Sequence, residues 1–206
     1  MNKVTTTRKR TYDSSWRAEQ ARATRERIIG ALRELFAKCE SDEELTYGAV
    51  AQAAGVTEMT VYRHFPTRQE LMTALWQRLN ESIGPMVKIP ETADELLSAN
   101  PTLHRGFDPV AKEIEASITT RQGREMRAAL NSERRRAFKR IALELNPRLT
   151  RPEAERAGAV LQLLHSAYAW DSMRAGWGFS GDQVADATQF ALQALMKSIA
   201  NRKEKS

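Results

Sequence analysis

The sequence predicts an all-α fold in two parts, a small three-helix N-terminal domain containing a helix-turn-helix and a larger helical domain behind it. Three observations carry this. Apolar residues recur at helical spacing and nowhere alternate as in a strand. Thr, Ser, Gly and Pro stand where helices start and stop. Residues 46–65 compress two short helices around a glycine, the pattern of a helical corner that needs close approach.

At 206 residues the chain is long enough to bury a core without disulfide staples. Cys39 is the only thiol, which excludes a disulfide framework and a Cys-based zinc site and fits a reducing compartment, the cytoplasm. The stretch MNKVTTTRKRTYDSSW is too polar for a signal peptide, and no apolar run approaches the roughly 20 residues that span a bilayer, so no membrane partner is expected. The net charge of +6 suits a polyanion. Lys3, Arg8, Lys9, Arg10, Arg17, Arg22, Arg25 and Arg27 face only Asp13, Glu19 and Glu26, so the excess sits beside the helical corner.

Residues 1–15 read as a flexible basic arm, either a solvated tail or a segment that enters an adjacent minor groove. The first helix is expected from about Arg17 to Cys39, with Ile28, Leu32, Leu35 and Cys39 as its apolar stripe and Ile29 and Phe36 beside it. An acidic loop, Glu40 to Glu44, follows. Thr46 caps a helix through about Ala53, Gly55 permits a left-handed turn, Thr57 caps a second short helix, and Pro66 stops it. Thr67-Arg68-Gln69-Glu70 is a capping box for a longer helix carrying Leu71, Met72, Leu75, Trp76, Leu79 and Ile83, ended by Gly84-Pro85.

Pro85, Pro90, Pro101, Gly84 and Gly106 predict that residues 85–108 hold only a short helix around Ala93–Ala99 and form a hinge. Helices are then expected at about 109–119, 122–145, 152–176 and 181–200. Thr150 to Glu153 opens the third of these and Ser180 to Gln183 the fourth.

In TYGAVAQAAGVTEMTVYRHF, Ala51, Gly55 and Val61 stand at the small, turn and β-branched positions of a helix-turn-helix, with Val50, Ala54 and Val56 completing its core. Thr57, Glu58, Met59, Thr60, Tyr62, Arg63 and His64 remain outward, and such a helix suits a major groove. The segment resembles the tetracycline-repressor (TetR) family over about residues 24–80. Leu35-Phe36, Thr46, Val50-Ala51, Ala53-Ala54-Gly55-Val56, Thr60-Val61-Tyr62-Arg63-His64-Phe65-Pro66, and Arg68 before Glu70-Leu71 carry the resemblance.

That resemblance implies that Thr46, Tyr62, His64 and Arg68 hold phosphates of a double-stranded DNA operator, while Thr57, Glu58, Met59, Thr60 and Arg63 lie near base edges. It also implies a homodimer that a small-molecule effector releases from a palindromic site. Three positions depart from the family pattern. Cys39-Glu40-Ser41 lacks the usual loop Gly, Met59 replaces a small residue, and Arg68 replaces the commoner Lys.

The chain divides accordingly into the arm 1–15, a DNA-binding domain 16–80 and an effector-binding and dimerisation domain 81–206. His64, His104 and His165 have no HxxxH or HxxE partner, and no phosphate loop, nucleotide fingerprint or nucleophile elbow occurs, so no metal, cofactor or catalytic role is expected. The broad apolar faces of the last two helices predict a four-helix bundle with a symmetry mate. Arg and Lys along 121–140 read as a solvated face, with an anionic partner or effector phosphate as the sharper alternative. An apolar or amphipathic effector is expected among Leu103, Phe107, Ile114, Ile118, Met126, Leu130, Trp170 and Met173. The competing readings are a DNA-binding regulator without a small molecule and a helical protein-interaction module.

Overall fold

Every regular element among residues 14–39, 45–83 and 88–202, which the computed structural model describes, is helical. The helices are α1 (Ser14–Lys38), α2 (Tyr47–Ala54), α3 (Glu58–His64), α4 (Arg68–Ile83), α5 (Ala93–Phe107), α6 (Ala111–Thr119), α7 (Arg121–Ala128), α8 (Asn131–Leu145), α9 (Arg151–Leu164), α10 (Ala167–Trp177) and α11 (Gly181–Ala200). A 3-10 turn, Asp108–Val110, joins α5 to α6. Most of the expected arm, the acidic loop and Gly84-Pro85 lie outside the described residues.

Local capping sets most boundaries. Thr46, Thr57, Thr92, Thr120, Ser166 and Ser180 each accept a backbone N–H one turn into their helix, satisfying one of the donors that a helix start leaves open. Full capping boxes open α9 through Thr150 and Glu153 and α11 through Ser180 and Gln183. The apolar faces so aligned meet in three clusters. Ile28, Leu32, Phe36, Val50, Val61, Phe65, Leu75 and Leu79 fill the first, inside α1–α4. The second gathers Ile83, Phe107, Ile114 and Trp170 from α4, α5, α6 and α10, and the third Leu96, Phe138, Leu161 and Leu192 from α5, α8, α9 and α11.

The expected hinge is instead largely a helix. α5 runs 15 residues with Pro101 inside it, where a proline removes one backbone bond and normally costs about 3 kcal/mol. The carbonyl it deprives is that of Leu97, and Gln189 Nε2 of α11 donates to it at 3.2 Å. Next to the break, Asn100 is fully buried and donates to Thr188 Oγ1 at 2.9 Å, while its Oδ1 accepts from His165 Nδ1 at 3.1 Å. Close packing completes the repair: a Cβ on Gly106 would overlap the Ile83 carbonyl, and one on Gly181 the His104 carbonyl. Pro101 and Gly106 therefore mark contact, not flexibility.

Two expected long helices are each broken once. The stretch 122–145 divides at Ala129 and Leu130 into α7 and α8, and at the end of α7 the Arg127 carbonyl accepts the Leu130 N–H at 3.3 Å and Arg134 Nη1 at 3.0 Å. The stretch 152–176 divides at His165 and Ser166, where Ser166 leaves helical geometry (φ −150, ψ 161) to cap α10.

His104 Nε2 donates to the Leu164 carbonyl at 3.1 Å, leaving Nδ1 without a partner. Burial pushes His104 down to about 4, and burial together with the charges of His104 and Arg134 pushes His165 down to about 3, so both rings are neutral at pH 7. Their folded values lie below the unfolded 6.5, so the unfolded chain takes up protons first as pH falls. This contribution is complete above about pH 6.5 and is lost towards pH 4. Urea midpoints at pH 7 and pH 5 should show the loss, about 2 kcal/mol from His104 alone, and His104→Gln should shrink it.

Candidate nucleic-acid interface and ligand cavity

α3 has only seven residues, too few to stand alone, and its neighbours hold it. Val61 points into the core with no exposure, against Val50, Ala51 and Ala54 of α2. Gly55 turns the chain at φ 62, in the left-handed region that a Cβ disfavours. Thr57 Oγ1 accepts the Thr60 N–H at 3.2 Å and lies 2.9 Å from the Thr60 hydroxyl. The far end is secured from α1, where Arg25 donates to the His64 carbonyl at 3.2 Å and its guanidinium lies 4.2 Å over the Phe65 ring.

Tyr47 supplies the other brace. Its hydroxyl donates to the Phe65 carbonyl at 3.0 Å, and its ring stacks on Tyr62 at 4.2 Å and 8°. Burial, then the neighbouring Tyr62, pushes the Tyr47 phenol up, so it stays protonated and keeps donating. Sequence reasoning passed over Tyr47 and Arg25, because each works through a residue of another helix and neither stands in the outward set.

What this frame presents is polar and open. Met59 is 76% exposed and Tyr62 43%. Thr46, Thr57, Glu58, Arg63 and Arg68 are exposed, and Thr60 and His64 are half-buried. Burial, with Arg63 and Arg25 nearby, pushes His64 down, so it offers a neutral ring N–H to an oxygen rather than a full charge. The Glu58 carboxylate folds back beside Gly48 in the first turn of α2, where the helix dipole favours a negative charge.

A second site lies between α4, α5 and α7–α10, a cavity of about 420 Å³. Leu103, Phe107 and Leu130 line it together with Trp76, Asn80, Ile83, Arg127, Arg134, Phe138, Leu163, His165 and Tyr168. Five other expected pocket residues do not. Ile114 and Ile118 are core, Met173 packs on that core, and Met126 packs on the N-terminal cluster. Trp170 is fully buried with its Nε1–H on Asp108 Oδ1 at 2.9 Å and Arg174 over its ring, so nothing of it is left for a ligand. The lining is apolar over its larger part, as expected, but Lys88, Arg124, Arg127 and Arg134 also border the space. Arg127 and Arg134, seven residues apart in a stretch that reads as a solvated basic helix, both reach the cavity, one from each side of the break at 129–130.

A family model described as bacterial regulatory proteins, tetR family, matches residues 28–75. The chain is 36% identical over 78 residues to a probable HTH-type transcriptional regulator, ArpR, of Pseudomonas putida, covering 38% of this chain and 37% of that protein. It is 32% identical over 71 residues to the nucleoid occlusion factor SlmA of Vibrio vulnificus, covering 34% of this chain and 35% of the other. These alignments span little more than a third of the curated relatives' length. Among solved structures, NalD of Pseudomonas aeruginosa, described as the secondary repressor of the MexAB-OprM multidrug efflux pump, aligns with a TM-score of 0.60 at 19% identity over 85% of this chain and 96% of that one. A transcriptional regulator from Rhodococcus aligns with a TM-score of 0.58 at 19% identity, covering 87% and 99%. The likeness to these structures is one of fold.

On duplexes selected from a randomised library, Arg68→Ala should weaken all sequences alike and lower the slope of log affinity against log salt by about one. Arg63→Ala should instead relax preference at one base position. Unaltered selectivity for Arg63→Ala would remove it from the base-reading set.

Proposed function

We propose, from the match of residues 28–75 to the model of bacterial regulatory proteins of the tetR family, that the chain is a homodimeric transcriptional repressor that leaves a palindromic operator when a small molecule occupies the cavity. The observation that carries this reading is the double use of α4. Leu71, Leu75 and Leu79 build the core beneath the recognition helix α3, while Trp76, Asn80 and Ile83 of the same helix line the cavity. A ligand that moves α4 therefore moves the platform of α3.

Thr46, Tyr62, His64 and Arg68 hold phosphates and set register, while Thr57, Met59, Thr60 and Arg63 face base edges, with Glu58 beside them. Dimerisation supplies the second recognition helix. α9 and α11 leave Val160 (46%), Leu163 (54%) and Phe190 (75%) exposed, an apolar face that a two-fold mate covers as a four-helix bundle. Leu163 also lines the cavity, so the dimer face and the ligand site share a wall. The ligand must bind the released arrangement better than the DNA-bound one, since equal affinity for both shifts nothing. Among the described residues no helix is long and apolar enough to cross a membrane, in keeping with action in the cytoplasm. Similarity of the DNA-binding domain to a nucleoid occlusion factor keeps one alternative open, a DNA binder that answers to a protein instead of a small molecule.

Light scattering on the full chain at micromolar concentration should report a dimer, and Phe190→Glu a monomer with at least about tenfold weaker operator binding. A monomeric parent chain, or a selected duplex lacking two-fold symmetry, would contradict the reading.

A further inference from the structure

The cavity wall carries more positive charge than its own residues balance. Lys88, Arg124, Arg127 and Arg134 line it, and no Asp or Glu does. Elsewhere arginines in this fold meet carboxylates: Arg33 with Glu113 at 2.6 Å, Arg105 with Asp182 at 2.5 Å, Arg140 with Glu91 at 3.4 Å, Arg78 with Glu26. Among the described residues Arg127 and Arg134 form no such close pair, and only the neighbouring Glu133 partly offsets Arg134.

Their close contacts are neutral. Arg127 lies over the rings of Trp76 and Tyr168, at 5.9 and 5.3 Å, and Arg134 donates to the Arg127 carbonyl. Burial pushes Arg127 down, and burial followed by the charge of Arg127 pushes Arg134 down to about 10. Both guanidiniums remain protonated at neutral pH, two like charges drawn largely out of bulk water, with the Tyr168 hydroxyl beside Arg127 and one neighbouring carboxylate, Glu133, acting on Arg134. Leaving buried charge uncompensated is costly, so a fold that keeps it has a use for an anion there.

Hydrogen bonding points the same way. Arg127 Nε and the Trp76 Nε1–H are buried donors with no acceptor in the protein, a rare condition that a ligand oxygen relieves. His165, pushed down to about 3, is neutral and spends its Nδ1–H on Asn100, so it contributes no charge. Leu103, Phe107 and Phe138 add apolar surface to the same lining.

We infer that the cavity is built for a small amphipathic organic acid, its carboxylate held by Arg127 and Arg134 and its apolar body laid against Leu103, Phe107 and Phe138. This rests on the reading of the cavity as the effector site and narrows the ligand to a chemical class. A carboxylate suits the paired guanidiniums, which present several fixed donors to two oxygens. It also ties the ligand to the DNA, because Arg127 and Trp76 reach the same anion from α7 and α4.

The test uses the full chain with decanoate and 4-butylbenzoate as probes and decanol and 4-butylbenzyl alcohol as neutral counterparts, read by calorimetry and thermal melting. At least one acid should bind about tenfold or more tighter than its alcohol, the worth of a hydrogen bond to a charged group. Arg127→Met and Arg134→Met should each remove that preference while leaving alcohol binding unchanged. Arg135→Met, an exposed neighbour, should keep it. Relief of buried charge should leave the unliganded variants melting at or above the parent temperature, and should either fail to fold, the acid-over-alcohol preference of the parent chain decides alone. Equal binding of acids and alcohols, no binding of either acid, or full acid preference in both folded variants overturns the inference. Operator release by a neutral cavity ligand would sink this inference and spare the proposed function. Failure of every bound probe to release the operator would sink the proposed function and spare this site.

Discussion

Arg127 stands where the two halves of the molecule meet, its guanidinium between the Trp76 ring of α4 and the Tyr168 ring of α10. Removing a guanidinium from water without a counter-charge is unfavourable, so every arrangement of these helices must answer to it. α4 is the element with the least freedom to ignore it. Its earlier turns are committed to the N-terminal core through Leu71, Leu75 and Leu79, and its last turns to the cavity through Trp76, Asn80 and Ile83. A change in the electrostatics around Arg127 is thereby felt under α3.

The surroundings of this contact are stiff. α1 is tied to α6 by Arg33 and Glu113, with Arg33 also donating to Ser82 of α4 at 3.2 Å. α5 is tied to α11 by Gln189 and Thr188, and to the α9–α10 corner by Asn100 with His165. A buried polar network with its partners in place specifies one packing, which suits a wall of a binding site. The braces around α3 do the same, where Arg25 and Tyr47 both hold the backbone around Phe65.

What could be read in the sequence follows from how local each signal is. Thr46, Gly55, Thr57, Thr150 and Ser180 act within one turn of the chain, and the helices they bound fall where expected. Pro101 misled because its remedy comes from Gln189, far away along the chain, and no local pattern announces it. The breaks at Leu130 and Ser166 were equally silent, since neither carries a proline or glycine and both are stabilised by contacts with other helices. The outward residues of α3 were legible because a short helix with one buried valine leaves little choice. The cavity was not. Trp170 looked like a pocket residue, but Asp108 takes its N–H, and Arg127 and Arg134 looked like surface because nothing in a stretch so rich in Arg and Lys shows which face another helix covers.

The claim that α4 transmits occupancy of the cavity to the recognition helix is tested by operator affinity with and without a saturating cavity ligand, in the parent chain and in Trp76→Leu. The ratio of the two affinities cancels any change in ligand binding itself. The parent chain should show a coupling of about tenfold or more, within the usual range for allosteric regulators, and Trp76→Leu should lose most of it while still binding both DNA and ligand. An undiminished ratio in Trp76→Leu would contradict the account.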